Sequence, residues 1–453
     1  MGDFIDSILV LVLVIAVARF VKRGSRILQR FFIPSALLAG CGGLLLGPQV
    51  LDVIPVAVTD VWATLPKYLI NVVFAGLFLG KTIPSRKEIW RISGPMIAFG
   101  NTLAWGQYVI GIALTMLVLV PLFNASPLSG ALIEIGFEGG HGTAAGLAPS
   151  FTELGWSEGT DLALALATIS LVAAIIAGVL LVNWRNRKHG YLIDEETWKQ
   201  QERMLKRSGY NMVRFSQKIN TNPVAILWNV LAFIVAIAAG YGMLAALRYL
   251  ENLLLNGWTD LRLFEYVPLF PFTMIGGLFV QLFLRKIHRQ HLLQRRTAQI
   301  ISTIALDALI ACAVATVSLD VVAHNLPTVI ILSAAGVSWI LGCFAVLARR
   351  MFPAYWFENG VTNIGQSMGM TATGLLMNRL ADPTNKTGAR EGFAYKQLIF
   401  EPFMGGGLIT ATAVVVIAEL GSWFAFLTSF IFMLFWLILG LHMGRRRKAS
   451  SSR

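Results

Sequence analysis

Long apolar stretches separated by short polar connections dominate the chain. A helix that crosses the hydrocarbon core of a bilayer needs about 20 mostly apolar residues. Eleven stretches approach or exceed that length: 4–20, 31–48, 65–80, 93–122, 160–184, 225–248, 266–284, 298–318, 326–348, 398–419 and 422–443. The N-terminal MGDFIDS is acidic, whereas a secretory signal begins with basic residues, so the first stretch is expected to remain a membrane helix. The pattern predicts an all-α polytopic membrane protein.

Composition supports this class. Hydrophobic residues make up 56% of the 453 residues and charged residues only 13%, whereas a soluble domain carries about 25% charge. An ordinary cytosolic enzyme is thereby excluded. The net charge of +13 does not indicate a nucleic-acid surface, because the basic residues lie in short clusters between apolar stretches, as in the cytoplasmic loops of membrane proteins.

The basic clusters predict the orientation. Lys and Arg concentrate in 21–30, 81–91, 185–224, 285–297 and the tail after 443, while the alternate connections contain one basic residue, Arg262. Positive residues favour the cytoplasmic side, so the N-terminus is predicted outside and the C-terminus in the cytoplasm. Two further semi-apolar segments, about 126–150 and 350–380, would break this alternation as full crossings. They are therefore predicted to be re-entrant or broken inside the protein.

An internal repeat relates two parts of the chain. Three matches recur in order, 234, 236 and 228 residues apart: Pro34, Gly42, Gly43 and Leu44 with Pro268, Gly276, Gly277 and Leu278; Asn71 with Asp307; and TAAGL (143–147) with TATGL (371–375). Each repeat holds five spans and one broken segment, and an odd number of spans requires the second repeat to be inverted. Inverted repeats with interrupted segments at matching positions are typical of secondary transporters.

This repeat predicts four regions. The first is an inverted repeat over 1–184, and the second is its counterpart over 225–419. A cytoplasmic linker over 185–224 joins them, and an extra C-terminal transmembrane helix with a basic tail occupies 420–453.

The broken segments contain the candidate substrate-binding residues. In the first, IEIGFEGGHGTAAGLAPSF (133–151), glycines permit a break and a close backbone approach, and Thr143 is expected to be the N-cap of a short helix. In the second, NIGQSMGMTATGLLM (363–377), the same features recur. Two helix N-termini facing a cavity would suit a substrate with two carboxylates. The predicted substrate-binding residues are Gly140, His141, Gly142, Thr143, Gly369, Thr371 and Thr373.

Oxygen-bearing residues at membrane depth are the candidate cation ligands. Ionisable groups are costly there and are functional candidates by default. Glu138 lies one helical turn after Glu134, and Asp307 lies within a predicted span. The predicted sodium ligands are Glu138, Asp307, Asn363 and Gln366. A carboxylate at Glu138 can equally pair a substrate ammonium or carry a proton, Asp307 can instead bond polar groups of a neighbouring helix, and His141 can be a neutral structural residue.

Three motifs carry a resemblance to a known family. GGHGTAA (139–145), QRFFIPSALLAGCGGLLLGP (29–48) and GMTATGLLMNR (369–379), the last followed by Lys396, Gln397, Leu398, Glu401, Pro402 and Phe403, resemble segments of the glutamate:sodium symporters over most of residues 1–419. The resemblance implies sodium-coupled uptake of L-glutamate or a related carboxylate, with sodium as the coupling ion. It also implies a homodimer in a bacterial inner membrane and an elevator-like transport domain that moves against a scaffold.

Other functions remain to be weighed against this one. Glu138 departs from the family pattern, because a small or hydroxyl residue is expected before the glycines, and an extra acid disfavours a dianionic substrate unless it is protonated or neutralised by sodium. The alternative is a transporter of the same fold for a different solute, with proton coupling through Glu138 or Asp307. A membrane enzyme is disfavoured because the sequence contains no HExxH metalloenzyme motif. Two interrupted segments in inverted halves favour alternating access over a channel.

Overall fold

A computed structural model of the protein describes residues 2–25, 28–29, 33–81, 83–188, 223–255 and 262–451. These residues form helices joined by turns, and the described part of the chain contains no β-strand. The predicted all-α membrane class is confirmed. Most of the predicted 185–224 linker, residues 189–222, lies outside the described residues.

The helices before the linker carry the first broken segment. In chain order they are α1 (Gly2–Gly24), α2 (Ser35–Leu46), α3 (Val56–Thr64), α4 (Pro66–Ala75), α5 (Arg86–Leu114), α6 (Val120–Phe123), α7 (Leu132–Glu134), α8 (Gly140–Gly146), α9 (Ala148–Glu153) and α10 (Gly159–Lys188). Turns of π-helix at Thr115–Leu119 and Ile135–Gly139, and of 3-10 helix at Pro127–Ala131, interrupt the series.

The helices after the linker carry the second broken segment. They are α11 (Pro223–Leu255), α12 (Phe270–Lys286), α13 (Arg295–Ala315), α14 (Leu319–His324), α15 (Leu326–Cys343), α16 (Arg349–Met351), α17 (Trp356–Ser367), α18 (Met370–Ala381), α19 (Ala389–Phe400), α20 (Leu408–Leu420) and α21 (Ser422–Ser451). A 3-10 turn at Gln290–Leu292 and a π-helical turn at Phe344–Ala348 complete the series.

Seven helices of the described chain are long and apolar enough to cross a membrane: Phe4–Gly24, Lys87–Phe123, Gly159–Arg185, Pro223–Leu254, Arg295–Ala315, Leu326–Met351 and Ser422–Arg445. The predicted spans 31–48, 65–80 and 266–284 correspond to the shorter helices α2, α4 and α12. The prediction of one continuous helix over 398–419 is wrong. The chain breaks between α19 and α20, because Pro402 and Gly405–Gly407 favour a turn over helix.

The helices pack in two groups, and each group takes helices from both sides of the linker. In the first group α2 and α4 pack against α13, and α4 also packs against α12. In the second group α5 packs against α15, α19 and α21, while α10 packs against α8, α17 and α18. The short helix α8 also contacts α4 and α13. The first broken segment therefore lies where the two groups meet.

Small residues make reciprocal contacts between the two halves. A methyl group on Gly43 of α2 would lie 2.8 Å from Cβ of Ala315 at the end of α13, and one on Gly277 of α12 would collide with the carbonyl of Ala75 at the end of α4. A pseudo-two-fold relation produces this kind of exchanged contact. The inverted repeat and its four regions stay predictions.

Arg295 fixes the end of α4 against α13. Its Nη1 donates to the carbonyl oxygens of Gly76, Leu77 and Leu79 at 3.0, 3.2 and 3.0 Å. The last carbonyls of a helix have no partner within the helix, and a cation there also complements the helix dipole. The short α4 thus ends on a side chain from the other half of the protein.

Candidate functional site

The first break lies at the glycines of the GGHGTAA motif. A π-helical turn ends at Gly139 and α8 begins at Gly140, whose φ is 67° and ψ is −170°. That backbone conformation is essentially restricted to glycine. The predicted interruption is present within 126–150, at the residue where the sequence requires glycine.

The second break lies between α17 and α18. The helix α17 ends at Ser367, Gly369 is the N-cap of α18, and Met370 adopts a φ of 73°. A non-glycine residue with positive φ is uncommon and costs free energy. The interruption expected within 350–380 is therefore present, and a strained methionine forms part of it.

The third break lies between α19 and α20, where Gly405 and Gly406 have φ values of 64° and 98°. It comes close to the other two. A methyl group on Gly140 would lie 2.7 Å from Cγ of Met370, and one on Gly405 would lie 3.4 Å from the carbonyl oxygen of Glu138. Three interruptions that are distant in sequence therefore meet in the interior.

Glu134 joins the first and third breaks. Its Oε1 accepts hydrogen bonds from the backbone N–H of Gly405 at 3.0 Å and from the hydroxyl of Thr410 at 2.8 Å. Its Oε2 accepts one from the hydroxyl of Tyr108 on α5 at 2.6 Å. Glu134 is fully buried, and three donors satisfy most of the acceptor capacity of its carboxylate. The side chain positions the 401–407 turn against the first broken segment.

Glu138 joins the first and second breaks and has a free oxygen. Its Oε1 accepts a hydrogen bond from the hydroxyl of Ser367 at 2.6 Å. Its Oε2 is buried and has no hydrogen-bond partner among the described residues. Gln107 of α5 contacts the same serine, since its Nε2 donates to the carbonyl of Ser367 at 3.2 Å, and its Oε1 is likewise buried without a partner in the described chain. Two unsatisfied oxygens therefore flank Ser367.

Lys396 of α19 places an ammonium group beside the second break. Its Nζ donates to Oε1 of Gln366 at 2.6 Å and to Oδ1 of Asn363 at 3.1 Å. The residue is completely buried, and Nζ lies 3.9 Å from the ring centre of Phe400. Two of the predicted sodium ligands, Asn363 and Gln366, are thus brought to the site, where they bind a lysine.

Hydroxyl groups of α18 are engaged within the protein. Thr371 donates to Oε1 of Glu401 at 2.6 Å and accepts from Nε2 of Gln397 at 2.6 Å. The hydroxyl of Thr373 donates to the carbonyl of Gly369. The polar side chains of α19 and of the 401–407 turn therefore contact the first turn of α18.

Thr143 is not the N-cap that the sequence predicts. The N-cap of α8 is Gly139, and Thr143 lies in the fourth position of the helix because the chain becomes helical directly after the glycine pair. Its side chain is buried and faces the third break, since a methyl group on Gly406 would collide with its Oγ1. Thr143 and Thr373 each lie four residues after the N-cap glycine of their helix.

The remaining predicted residues, His141, Gly142 and Asp307, contact three different helices. His141 is buried, and its Nε2 lies 3.0 Å from the hydroxyl of Thr168 on α10. Gly142 faces α13, because a methyl group there would lie 3.4 Å from Cδ1 of Leu306. Asp307 and Glu138 have different partners: Oδ2 of Asp307 pairs with Nη2 of Arg19 on α1 at 2.8 Å, whereas Glu138 accepts from Ser367.

Sequence reasoning missed several residues of the site. In the sequence, Glu134 is distinguished only by its spacing from Glu138, Lys396 only as part of a motif, and Gln107 by no pattern at all. The sequence contains one signal for Lys396, an isolated lysine at the edge of an apolar stretch with an aromatic residue four positions later, the helical spacing at which side chains meet.

Broken helices that meet in the interior of a polytopic protein, with buried charges and unsatisfied oxygens at the breaks, define a secondary membrane transporter. The sodium/glutamate symporter family matches residues 2–382 of the chain. The chain therefore belongs to the sodium/glutamate symporter family, as the sequence motifs indicate. It is a transport protein and not an enzyme. No curated protein matches it.

Proposed function

We propose that the protein takes up L-glutamate or a related carboxylate together with sodium, by elevator-like alternating access. The observation that carries this proposal is the meeting of the three breaks around Glu138, Ser367 and Lys396. Unwound backbone and half-helix ends are where secondary transporters bind substrate and coupling ion. Membership of the sodium/glutamate symporter family indicates glutamate as the substrate class and sodium as the coupling ion. A homodimer in a bacterial inner membrane, with the N-terminus outside and the C-terminus cytoplasmic, is part of the proposal.

The substrate is proposed to bind at the first two breaks. The candidate ligands are the residues predicted from the sequence: Gly140, His141, Gly142, Thr143, Gly369, Thr371 and Thr373. The N-terminal turn of α18 begins beside Gly140, and free backbone N–H groups at a helix N-terminus favour a carboxylate. Movement of the second helix group against the first would carry these residues across the membrane.

The coupling ion is proposed to bind at Glu138. Sodium takes oxygen ligands at unwound backbone and helix ends in transporters, and Oε2 of Glu138 and Oε1 of Gln107 are buried oxygens beside Ser367 with no partner in the described chain. Asp307 is left out of this site because Arg19 already pairs with it. The second candidate function, proton-coupled transport, uses the same free oxygen of Glu138 as the proton acceptor.

Uptake of radiolabelled L-glutamate into proteoliposomes tests the proposal. An inward sodium gradient, a potassium gradient and a proton gradient are compared, and unlabelled glutamate serves as competitor. We expect uptake that requires sodium and is competed by glutamate. Uptake driven by protons without sodium would establish the second candidate, and no glutamate uptake under any gradient in folded protein would refute the substrate.

A pair of glutamine variants tests the ion site separately. Glu138→Gln keeps the shape of the side chain but removes its charge, so we expect sodium to stimulate uptake much less than in the unmodified protein. Glu153→Gln is the matched control, because Glu153 is an exposed acid of α9. Equal sodium stimulation in the two variants would remove Glu138 from the coupling site.

A further inference from the structure

The ammonium group of Lys396 has the surroundings of a bound monovalent cation. Two side-chain oxygens, Oε1 of Gln366 and Oδ1 of Asn363, lie 2.6 and 3.1 Å from Nζ. The ring of Phe400 covers another side, with its centre 3.9 Å away, and a cation over an aromatic face is attracted to it. The residue is 0% exposed. An isolated buried charge is costly unless it is paired and hydrogen-bonded, and here the hydrogen-bond acceptors are in place.

Space for this group comes from the facing helix. A methyl group on Gly100 of α5 would lie 2.5 Å from Nζ of Lys396, a distance that real side chains do not show. Any larger residue at position 100 would displace the ammonium. The position between α5, α17 and α19 is therefore shaped around a cation that is attached to the chain.

The neighbouring charges balance that cation. Gln366 and Ser367 are adjacent in the chain, and they contact the two charged groups separately: Oε1 of Gln366 accepts from Lys396, and the hydroxyl of Ser367 donates to Glu138. Glu138 and Glu401 both interact electrostatically with Lys396. The ammonium thus neutralises part of the negative charge at the breaks in the way that a bound metal cation would.

We propose that Lys396 is a tethered cation that occupies a monovalent cation position formed by Asn363 and Gln366, and thereby closes it to free sodium. Asn363 and Gln366 are then ligands of the lysine and not of sodium, contrary to the sequence-based expectation. Lys396 lies beyond the part of the chain that the family match covers, which ends at residue 382. The effect of this inference on transport rests on the proposed sodium coupling. The occupancy of the position itself can be measured without transport.

Equilibrium binding of ²²Na⁺ to the purified full-length protein tests the proposal. Lys396→Met removes the charge and keeps a long unbranched side chain, and Lys67→Met is the control, because Lys67 is an exposed lysine of α4. We expect Lys396→Met to bind one more sodium ion per chain than the unmodified protein, and Lys67→Met to bind the same number. An unchanged number of bound ions in folded Lys396→Met would overturn the proposal.

A second variant keeps the test decisive if Lys396→Met does not fold. Asn363→Leu removes one acceptor of the ammonium while the lysine remains. Because the proposal gives that acceptor to Lys396, the number of bound sodium ions should stay at the value of the unmodified protein, and the loss of one ion would place sodium there instead. An unmodified protein that binds no sodium would contradict the proposed coupling, while the difference between the variants would still decide the role of Lys396.

Discussion

Replacing Tyr108 by phenylalanine should destabilise the protein through Glu134. The tyrosine hydroxyl donates to Oε2 of Glu134 at 2.6 Å, and both residues are almost completely buried. Phenylalanine fills the same space beside Trp105, whose ring centre lies 6.0 Å from that of Tyr108. The substitution therefore removes one hydrogen bond to a buried carboxylate with little change in packing.

The geometry sets the size of the effect. A hydrogen bond to a charged group contributes about 1.5–3 kcal/mol, and one between neutral groups about 0.5–1.5 kcal/mol. Tyr108→Phe should lower the free energy of unfolding by the first amount when Glu134 is present. In a Glu134→Gln background the bond is neutral, so the same substitution should cost about 1 kcal/mol less. That difference is the coupling energy of a double-mutant cycle.

Denaturant titration of the four purified proteins in detergent measures the cycle. Tyr249→Phe, at a position that is 68% exposed, is the control for loss of a tyrosine hydroxyl and should leave the free energy of unfolding unchanged. Effects that add to within about 0.5 kcal/mol would indicate independent residues. That result would refute the conclusion that Glu134 is an ionised acceptor holding the third break in place.

Two further predictions concern other parts of the site. Gly140→Ala should destabilise the protein by about 1–3 kcal/mol in thermal or denaturant unfolding, because its φ of 67° is unsuited to alanine and the new methyl group would lie 2.7 Å from Cγ of Met370. Gly155→Ala is the control for backbone strain alone, since Gly155 has a similar φ but open space around it. Equal losses of stability in the two variants would show that the contact with Met370 does not matter. Asp307→Asn should leave the sodium dependence of uptake unchanged, because Arg19 already pairs with Asp307, and a raised sodium requirement would return this residue to the ion site.

Local sequence features were sufficient to predict the first two breaks. A glycine pair at 139–140 and Gly369 interrupt apolar segments whose charge pattern forbids a full crossing, and the structure breaks its helices there. The reason is that backbone conformation at glycine is a local property. The third break was missed although it also contains glycines, because the surrounding stretch is apolar and long enough for a continuous span.

Side-chain partners could not be predicted in the same way. Lys396 and Gln366 are 30 residues apart and Glu134 and Thr410 are 276 residues apart, so their contacts depend on how the helices pack and not on any local spacing. The contact between Asn363 and Lys396 could not be predicted for the same reason. An amide oxygen in a broken segment suits sodium and ammonium equally, and only the position of α19 decides which of the two reaches it.

The free oxygen of Glu138 links cation binding to the binding of an anionic substrate. Three acids at or beside the breaks, Glu134, Glu138 and Glu401, are balanced in number by the three cations Lys396, Arg295 and Lys81. The balance is uneven in space, because Oε2 of Glu138 is buried and has no hydrogen-bond donor among the described residues. At low dielectric an ionised carboxylate repels a second carboxylate strongly. A sodium ion or a proton at this oxygen would remove that repulsion, so we expect glutamate affinity to depend on prior cation binding.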